Sequence, residues 1–129
     1  MKKDYSEIIA SALEARKYAY APYSKLKVGS ALLTKSGKIF TGVNIESASF
    51  SLTICAERVA YSKAISSGDK SITAIAISSS KIDYPFPCGA CRQFMSEFGE
   101  NTEIILVKSV KQFKIYKLKD LLPDVFSLK

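Results

Sequence analysis

The 129-residue chain has no histidine and no tryptophan, and only three cysteines. Without an imidazole, neither a Ser-His-Asp nor a Cys-His catalytic arrangement can be built, and zinc has no nitrogen ligand of its commonest kind. Acid–base chemistry, if present, falls to a carboxylate. Long apolar runs are missing as well. The longest, residues 72–77 and 104–107, are far shorter than the ~20 residues that cross a bilayer as a helix. The opening Met1-Lys2-Lys3-Asp4-Tyr5 leads into mixed polar sequence and not into a secretory apolar region. There are no repeats, no linker, and no low-complexity tract beyond Ser78-Ser79-Ser80. Three cysteines cannot all pair within one chain, and a reducing compartment leaves them as thiols or metal ligands. The expectation is one soluble, cytoplasmic domain over residues 1–129, with no membrane contact.

Hydrophobic residues make up 47% of the chain and charged residues 24%, a globular composition. Net charge is +7, and lysines recur at 108, 111, 114, 117 and 119. Such a run is ordinarily a solvated face, and attraction to anionic polymers is its sharper reading. Apolar residues at Ile8, Ile9, Ala12, Leu13 and Ala15 recur at helical spacing, predicting a helix from Ser6 to about Ala19, before Pro22. Residues 26–33 and 38–43 are rich in β-formers around Lys35-Ser36-Gly37, which predicts a hairpin. Residues 44–54 are small and polar and predict a loop. A helix is expected from about Cys55 to Ser66 with Gly68 ending it, then a buried strand at 72–78. Pro87 is a candidate first helical residue for a helix from Cys88 to Phe98, closed by Gly99. Strands at 103–108 and about 112–117 and a helical turn from Leu118 to Leu122 complete the chain. The order α-β-β-α-β-α-β-β-α indicates an α/β fold, a mixed sheet of five strands with helices on both faces.

The cysteines concentrate in two stretches, Thr53-Ile54-Cys55-Ala56-Glu57-Arg58 and Pro87-Cys88-Gly89-Ala90-Cys91-Arg92-Gln93. Alone, a free cysteine is usually a small buried hydrophobe. Pro-Cys-x-x-Cys together with a third cysteine two residues before a glutamate reads instead as a zinc site. Cys88 and Cys91, three apart at a helix start, lie on one face, and free N–H groups with the helix dipole favour thiolates there. Cys55 gains the same stabilisation at the start of the other helix. A structural zinc takes four ligands and no fourth cysteine or histidine exists, so the site is of the open, catalytic kind. Three thiolates on one zinc carry a net negative charge, and Arg58 is the candidate that offsets it by donating to ligand sulfur. Glu57 is the candidate base. Mid-helix, Cys55 and Glu57 would point about 200° apart, but at a loop-to-helix junction both can face the metal. The plain alternatives are an ordinary surface arginine and a solvated first-turn glutamate.

Four co-linear motifs carry a family resemblance: Tyr23-Ser24-x-x-x-Val28-Gly29, Gly42-x-Asn44-Ile45-Glu46-x-Ala48-Ser49, Cys55-Ala56-Glu57-Arg58 and Pro87-Cys88-Gly89-x-Cys91-Arg92-Gln93. Over about residues 5–127 the chain resembles the small homotetrameric cytidine deaminases of nucleoside salvage. The resemblance implies a three-layer α/β/α fold, one Zn2+ per subunit on Cys55, Cys88 and Cys91, and Glu57 as proton shuttle. It implies ribose contacts from Asn44 and Glu46 within the stretch that includes Ile45, and a pyrimidine O2 contact from the Ala56 N–H. Asn44 and Glu46, two apart in an extended segment, point the same way, although Asn-x-Glu alone would be a turn. Leu121-Leu122-Pro123-x-x-Phe126 is similar to the family's tail, whose aromatic residue reaches a neighbouring subunit's pocket; without the resemblance, Phe126 reads as a core anchor for the terminus. Where the family usually has Phe along the substrate, this chain has Leu26, an apolar wall without a π face. Phe50 stands where Tyr is common.

These residues imply hydrolytic deamination of cytidine and 2′-deoxycytidine. Deamination of cytosine in single-stranded nucleic acid is a second reading, which the positive charge motivates. The absence of tryptophan and of an aromatic-basic platform argues against it. A nucleoside analogue as substrate and a catalytically inactive zinc module are the remaining alternatives.

Overall fold

Alternation along residues 72–79 organises the molecule. Ile75 and Ile77 join one buried cluster with Leu32, Ile104 and Leu106. Ala74 and Ala76 between them join a second with Ala31, Ile105 and Val107. Successive strand side chains face opposite ways, so a strand with apolar residues on both faces must be covered on both sides.

The computed structural model describes residues 4–128; residues 1–3, the polar opening, and residue 129 lie outside the described residues. Within them the order is α1 (Ser6–Ala15), β1 (Val28–Thr34), β2 (Ile39–Val43), α2 (Ala56–Ser66), β3 (Ile72–Ser79), α3 (Gly89–Ser96), β4 (Glu103–Ser109), β5 (Gln112–Lys117) and α4 (Leu118–Leu121), with 3-10 turns at Arg16–Tyr18 and Phe50–Leu52. The sheet runs β2-β1-β3-β4-β5. Only β3 and β4 pair in parallel, and α3 lies in the crossover between them. Helix α1 packs on one face, through Ile8, Ile9 and Ala12. Helices α2 and α3 cover the other, through Ala60, Tyr61, Ala64, Cys91 and Met95. This is the mixed five-stranded sheet with helices on both faces that the sequence predicts.

Both faces use the same seating device. Gly42 pairs with Ser30 across β1 and β2, and Gly29 pairs with Ser78 across β1 and β3. A Cβ on Gly42 would lie 2.2 Å from the Ala56 carbonyl oxygen, and one on Gly29 would lie 2.2 Å from that of Ala12. The paired serine completes each seat. Ser30 Oγ donates to the Ala56 carbonyl at 2.8 Å, and Ser78 Oγ to the Ala12 carbonyl at 3.0 Å. Glycine in a strand marks close backbone approach, and here a helix backbone rests on each.

Several details differ from the sequence expectation beyond shifts of one or two residues at strand and helix ends. Helix α1 stops at Ala15 and not near Ala19, because Tyr20 turns extended and exchanges backbone bonds with Asn44 and Glu46. The 44–54 segment is not a plain loop: Ile45 and Ile54 exchange bonds of 3.0 and 2.9 Å, which delivers Cys55 to the start of α2. Pro87 is not the first helical residue; Cys88 is the N-cap and Gly89 begins α3. That helix ends at Ser96, short of Phe98, although Gly99 (φ 128) still closes the turn that follows, and Gly68 (φ 92) follows α2 as expected.

Candidate metal centre

Two helix starts converge. Cys55 is the N-cap of α2 with extended dihedrals (φ −73, ψ 152), and Cys88 is the N-cap of α3 (φ −69, ψ 168). Both residues therefore stand at the positive dipole end of a helix, although the Cys55 sulfur makes no cap hydrogen bond of its own. Cys88 Sγ also accepts from the Cys91 N–H at 3.4 Å. Because Cys55 precedes the helix and Glu57 lies within its first turn, the 200° divergence of a regular helix does not apply, and both reach one spot.

The three sulfurs lie within 4.8 Å of one another. Cys55 to Cys88 is 3.9 Å and Cys88 to Cys91 is 3.4 Å. Tetrahedral ligands ~2.3 Å from a zinc ion stand about 3.8 Å apart, so the donor set fits that cation. Its electrostatics call for one. The hydrogen bond from Cys91 holds the Cys55 thiol down to about 5, with help from Arg58, while the same bond and burial push Cys91 far up. Cys55 and Cys91 are thus driven apart, and a divalent cation between them would favour the thiolate form of both. Cys91 is buried, Cys55 half-buried and Cys88 exposed, so the cluster opens on one side.

Glu57 is 5% exposed. Burial pushes its carboxyl up to about 7, and the neighbouring Cys55 thiolate adds to this. Arg58 is not an idle surface residue: its Nη2 lies 3.7 Å from Cys55 Sγ and 3.4 Å from the Thr53 carbonyl. Ala56 is wholly buried between ligand and acid, its carbonyl held by Ser30.

Asn44 and Glu46 do face the same way, and what they hold in this chain is the segment from Tyr23 to Val28. Asn44 Oδ1 accepts from the Val28 N–H at 2.9 Å, and Nδ2 donates to the Leu26 carbonyl at 2.7 Å. Glu46 Oε1 accepts from the Tyr23 and Ser24 N–H groups, and Oε2 from the Ser24 hydroxyl. Each keeps capacity for a further bond. Leu26 is half-buried and Ile45 exposed. Phe126 is no core anchor: it is 70% exposed. Tyr23, Ser24 and Gly42 stand in the sequence motifs, but neither the Ser30–Gly42 seat nor the bonds from Tyr23 and Ser24 to Glu46 follow from those motifs. A glycine opposite a serine in a hairpin was the only available signal.

Comparison with known proteins agrees with this geometry. Residues 2–108 match the family model described as the cytidine and deoxycytidylate deaminase zinc-binding region. A protein named probable cytidine deaminase from Dictyostelium discoideum is 46% identical over 127 residues, spanning 98% of this chain and 86% of that protein. Cytidine deaminase from Halalkalibacterium halodurans is 43% identical over 126 residues, with 96% and 95% covered. The crystal structure of cytidine deaminase from Burkholderia pseudomallei superposes with a TM-score of 0.90 at 42% identity, covering 96% of this chain and all of that one. Three cysteines fitted to one zinc, a buried glutamate beside them and this common fold place the chain in the cytidine and deoxycytidylate deaminase family.

Proposed function

We propose that the chain, as one deaminase domain, hydrolyses cytidine and 2′-deoxycytidine to uridine and 2′-deoxyuridine, releasing ammonia, in pyrimidine salvage. The observation that carries this reading is a buried carboxyl poised near neutrality beside three sulfurs that fit a single zinc. Held by Cys55, Cys88 and Cys91, zinc supplies a Lewis acid that makes water acidic near pH 7. Glu57 takes the proton of the attacking water and delivers it to N3 of the ring as oxygen adds to C4. The same carboxyl then moves the proton of the new C4 hydroxyl to the amino group as the C4–N bond breaks and C4=O forms, so water and cytidine yield uridine and ammonia. A group with a pKa near the working pH serves equally as base and acid. Arg58 donates towards Cys55 and tempers the charge of the sulfurs.

Substrate is held by the residues around this centre. The Ala56 N–H binds the pyrimidine O2. Asn44 and Glu46 hold the ribose with the hydrogen-bond capacity left after bracing the segment around Leu26, Ile45 lines the site between them, and Leu26 forms an apolar wall. The working form is a homotetramer in which Phe126 reaches a neighbouring copy's site. Exposed Phe50, Leu52, Ile54 and Phe126, at 76, 66, 41 and 70%, support burial between copies. Free thiols as ligands suit a reducing cytoplasm; among the described residues no helix is long and apolar enough to cross a membrane. The test is an ultraviolet assay of cytidine loss with metal quantified per chain. One zinc per chain and steady conversion to uridine are expected. Zinc-loaded protein that leaves both cytidine and deoxycytidine untouched would overturn the reading.

A further inference from the structure

With the two residues that follow the last sulfur, Arg92 and Gln93, α3 grips a distant piece of the same chain. Arg92 Nε donates to the Pro87 carbonyl at 2.7 Å, and its Nη1 to the Leu121 carbonyl at 2.9 Å. Gln93 engages Phe126 twice. Its Nε2 donates to the Phe126 carbonyl at 2.9 Å, and the Phe126 N–H donates to its Oε1 at 3.3 Å. A side-chain amide used in this way imitates a strand neighbour: it satisfies both backbone polar groups of one residue, 33 positions away. Residues 122–128 form no helix or strand, and the Phe126 ring itself is left 70% exposed.

A half-buried glutamine on a helix can satisfy its amide with water alone. A reciprocal pair on one backbone residue instead fixes where that residue's side chain projects. We propose that Gln93 is a positioning residue: it clasps the Phe126 backbone so that the ring stands ready as a wall of a nucleoside site, coupling that wall to the helix that bears Cys88 and Cys91. This rests on the deaminase reading above. A tail ordered in advance loses little entropy when substrate arrives, and an unclasped one must be ordered at substrate's expense. Losing the clasp therefore weakens binding more than chemistry.

The test uses the full-length, zinc-loaded protein and its Gln93→Ala, Gln93→Glu, Phe126→Ala and doubly substituted (Gln93→Ala with Phe126→Ala) forms. Two lost hydrogen bonds predict that Gln93→Ala raises KM for cytidine about tenfold with kcat within about twofold. Zinc per chain stays at one, and deuterium exchange at the Phe126 amide accelerates about tenfold. Gln93→Glu, which retains the acceptor for that amide, falls between wild type and Gln93→Ala. The double form matches Phe126→Ala, because a clasp with no ring to place has nothing further to lose. Unchanged KM and exchange in Gln93→Ala, a loss of zinc, or additive effects in the double form would each overturn the proposal. A wild type inert towards cytidine would instead sink the deaminase reading and the wall with it. The exchange measurement would then decide the clasp alone.

Discussion

At the scale of single residues, Glu57 and Tyr61 are both buried polar groups with opposite meanings. Glu57 is buried beside the sulfurs, and burial raises its pKa in the direction that the proposed proton shuttle needs. Glu57→Gln keeps shape and removes the titrating oxygen. Turnover of cytidine should fall by about 10³-fold or more with zinc still bound at one per chain; measurable catalysis with full zinc would end the proton-shuttle role. Tyr61 is fully buried, and its hydroxyl, beside the Thr102 side chain, makes no hydrogen bond of normal geometry. Its ring packs against Phe94 and Phe98 at centroid separations of 6.4 and 6.0 Å. Tyr61→Phe keeps those contacts and deletes a desolvated donor. It should stabilise the protein at neutral pH by about 1 kcal/mol in urea titration. The sign at high pH follows from burial, which raises the Tyr61 pKa above the ordinary value. Stability from the neutral ring is intact below pH ~10, where unfolded tyrosine begins to ionise, and is lost as pH rises beyond it. Tyr61→Phe should flatten that alkaline decline.

The decisive contact at the level of elements is helix α2 on the β1–β2 hairpin. A carbonyl of its first turn, that of Ala56, is pressed on Gly42 and bonded by Ser30. The depth of the helix is thereby set at the Ala56–Glu57 peptide, next to Cys55. In Gly42→Ala the new methyl would meet the Ala56 oxygen at 2.2 Å and the Ala60 nitrogen at 2.6 Å. Both are backbone atoms, so the helix must lift. We expect a loss of about 3 kcal/mol in stability and a clear drop in zinc affinity, read by chelator competition. Gly37→Ala is the control: its added methyl meets nothing within 4 Å, so its cost comes only from the positive φ of 93° and leaves zinc affinity unchanged. Zinc affinity lost equally in both would show that α2 depth does not govern the site.

For the whole molecule, the three sulfurs join the loop preceding α2 to the start of α3, elements that otherwise meet across the core. The Cys55 and Cys91 thiols are shifted in opposite directions, and a cation that binds both sulfurs should report on folding as well as chemistry. Zinc free at about a thousandfold above its dissociation constant should add about 4 kcal/mol and raise the melting temperature by about 10–15 °C. Calorimetry with and without a strong chelator measures this. A melting temperature indifferent to chelation would mean that the sulfurs hold no metal in the native state. The lysines at 108, 111, 114, 117 and 119 are all exposed, with Lys108 near Asp83 and Lys114 over the Tyr84 ring, as a solvated face requires.

The sequence by itself determined the five strands, the helix faces, and the three cysteines that could share a metal with a glutamate beside them. Periodicity of 2 or 3.6 and short ligand spacing are local, and local patterns survive without coordinates. Only the tertiary structure decided where α1 ends, since Tyr20 leaves the helix for partners at Asn44 and Glu46. It alone showed that Asn44 and Glu46 brace the Leu26 segment, that Gln93 clasps Phe126, and that Gly42 carries the weight of α2. Those are contacts between residues distant in the chain, formed by backbone groups that every amino acid shares. Side-chain identity encodes which face is apolar and which atoms bind metal; it does not encode which carbonyl a distant amide will find.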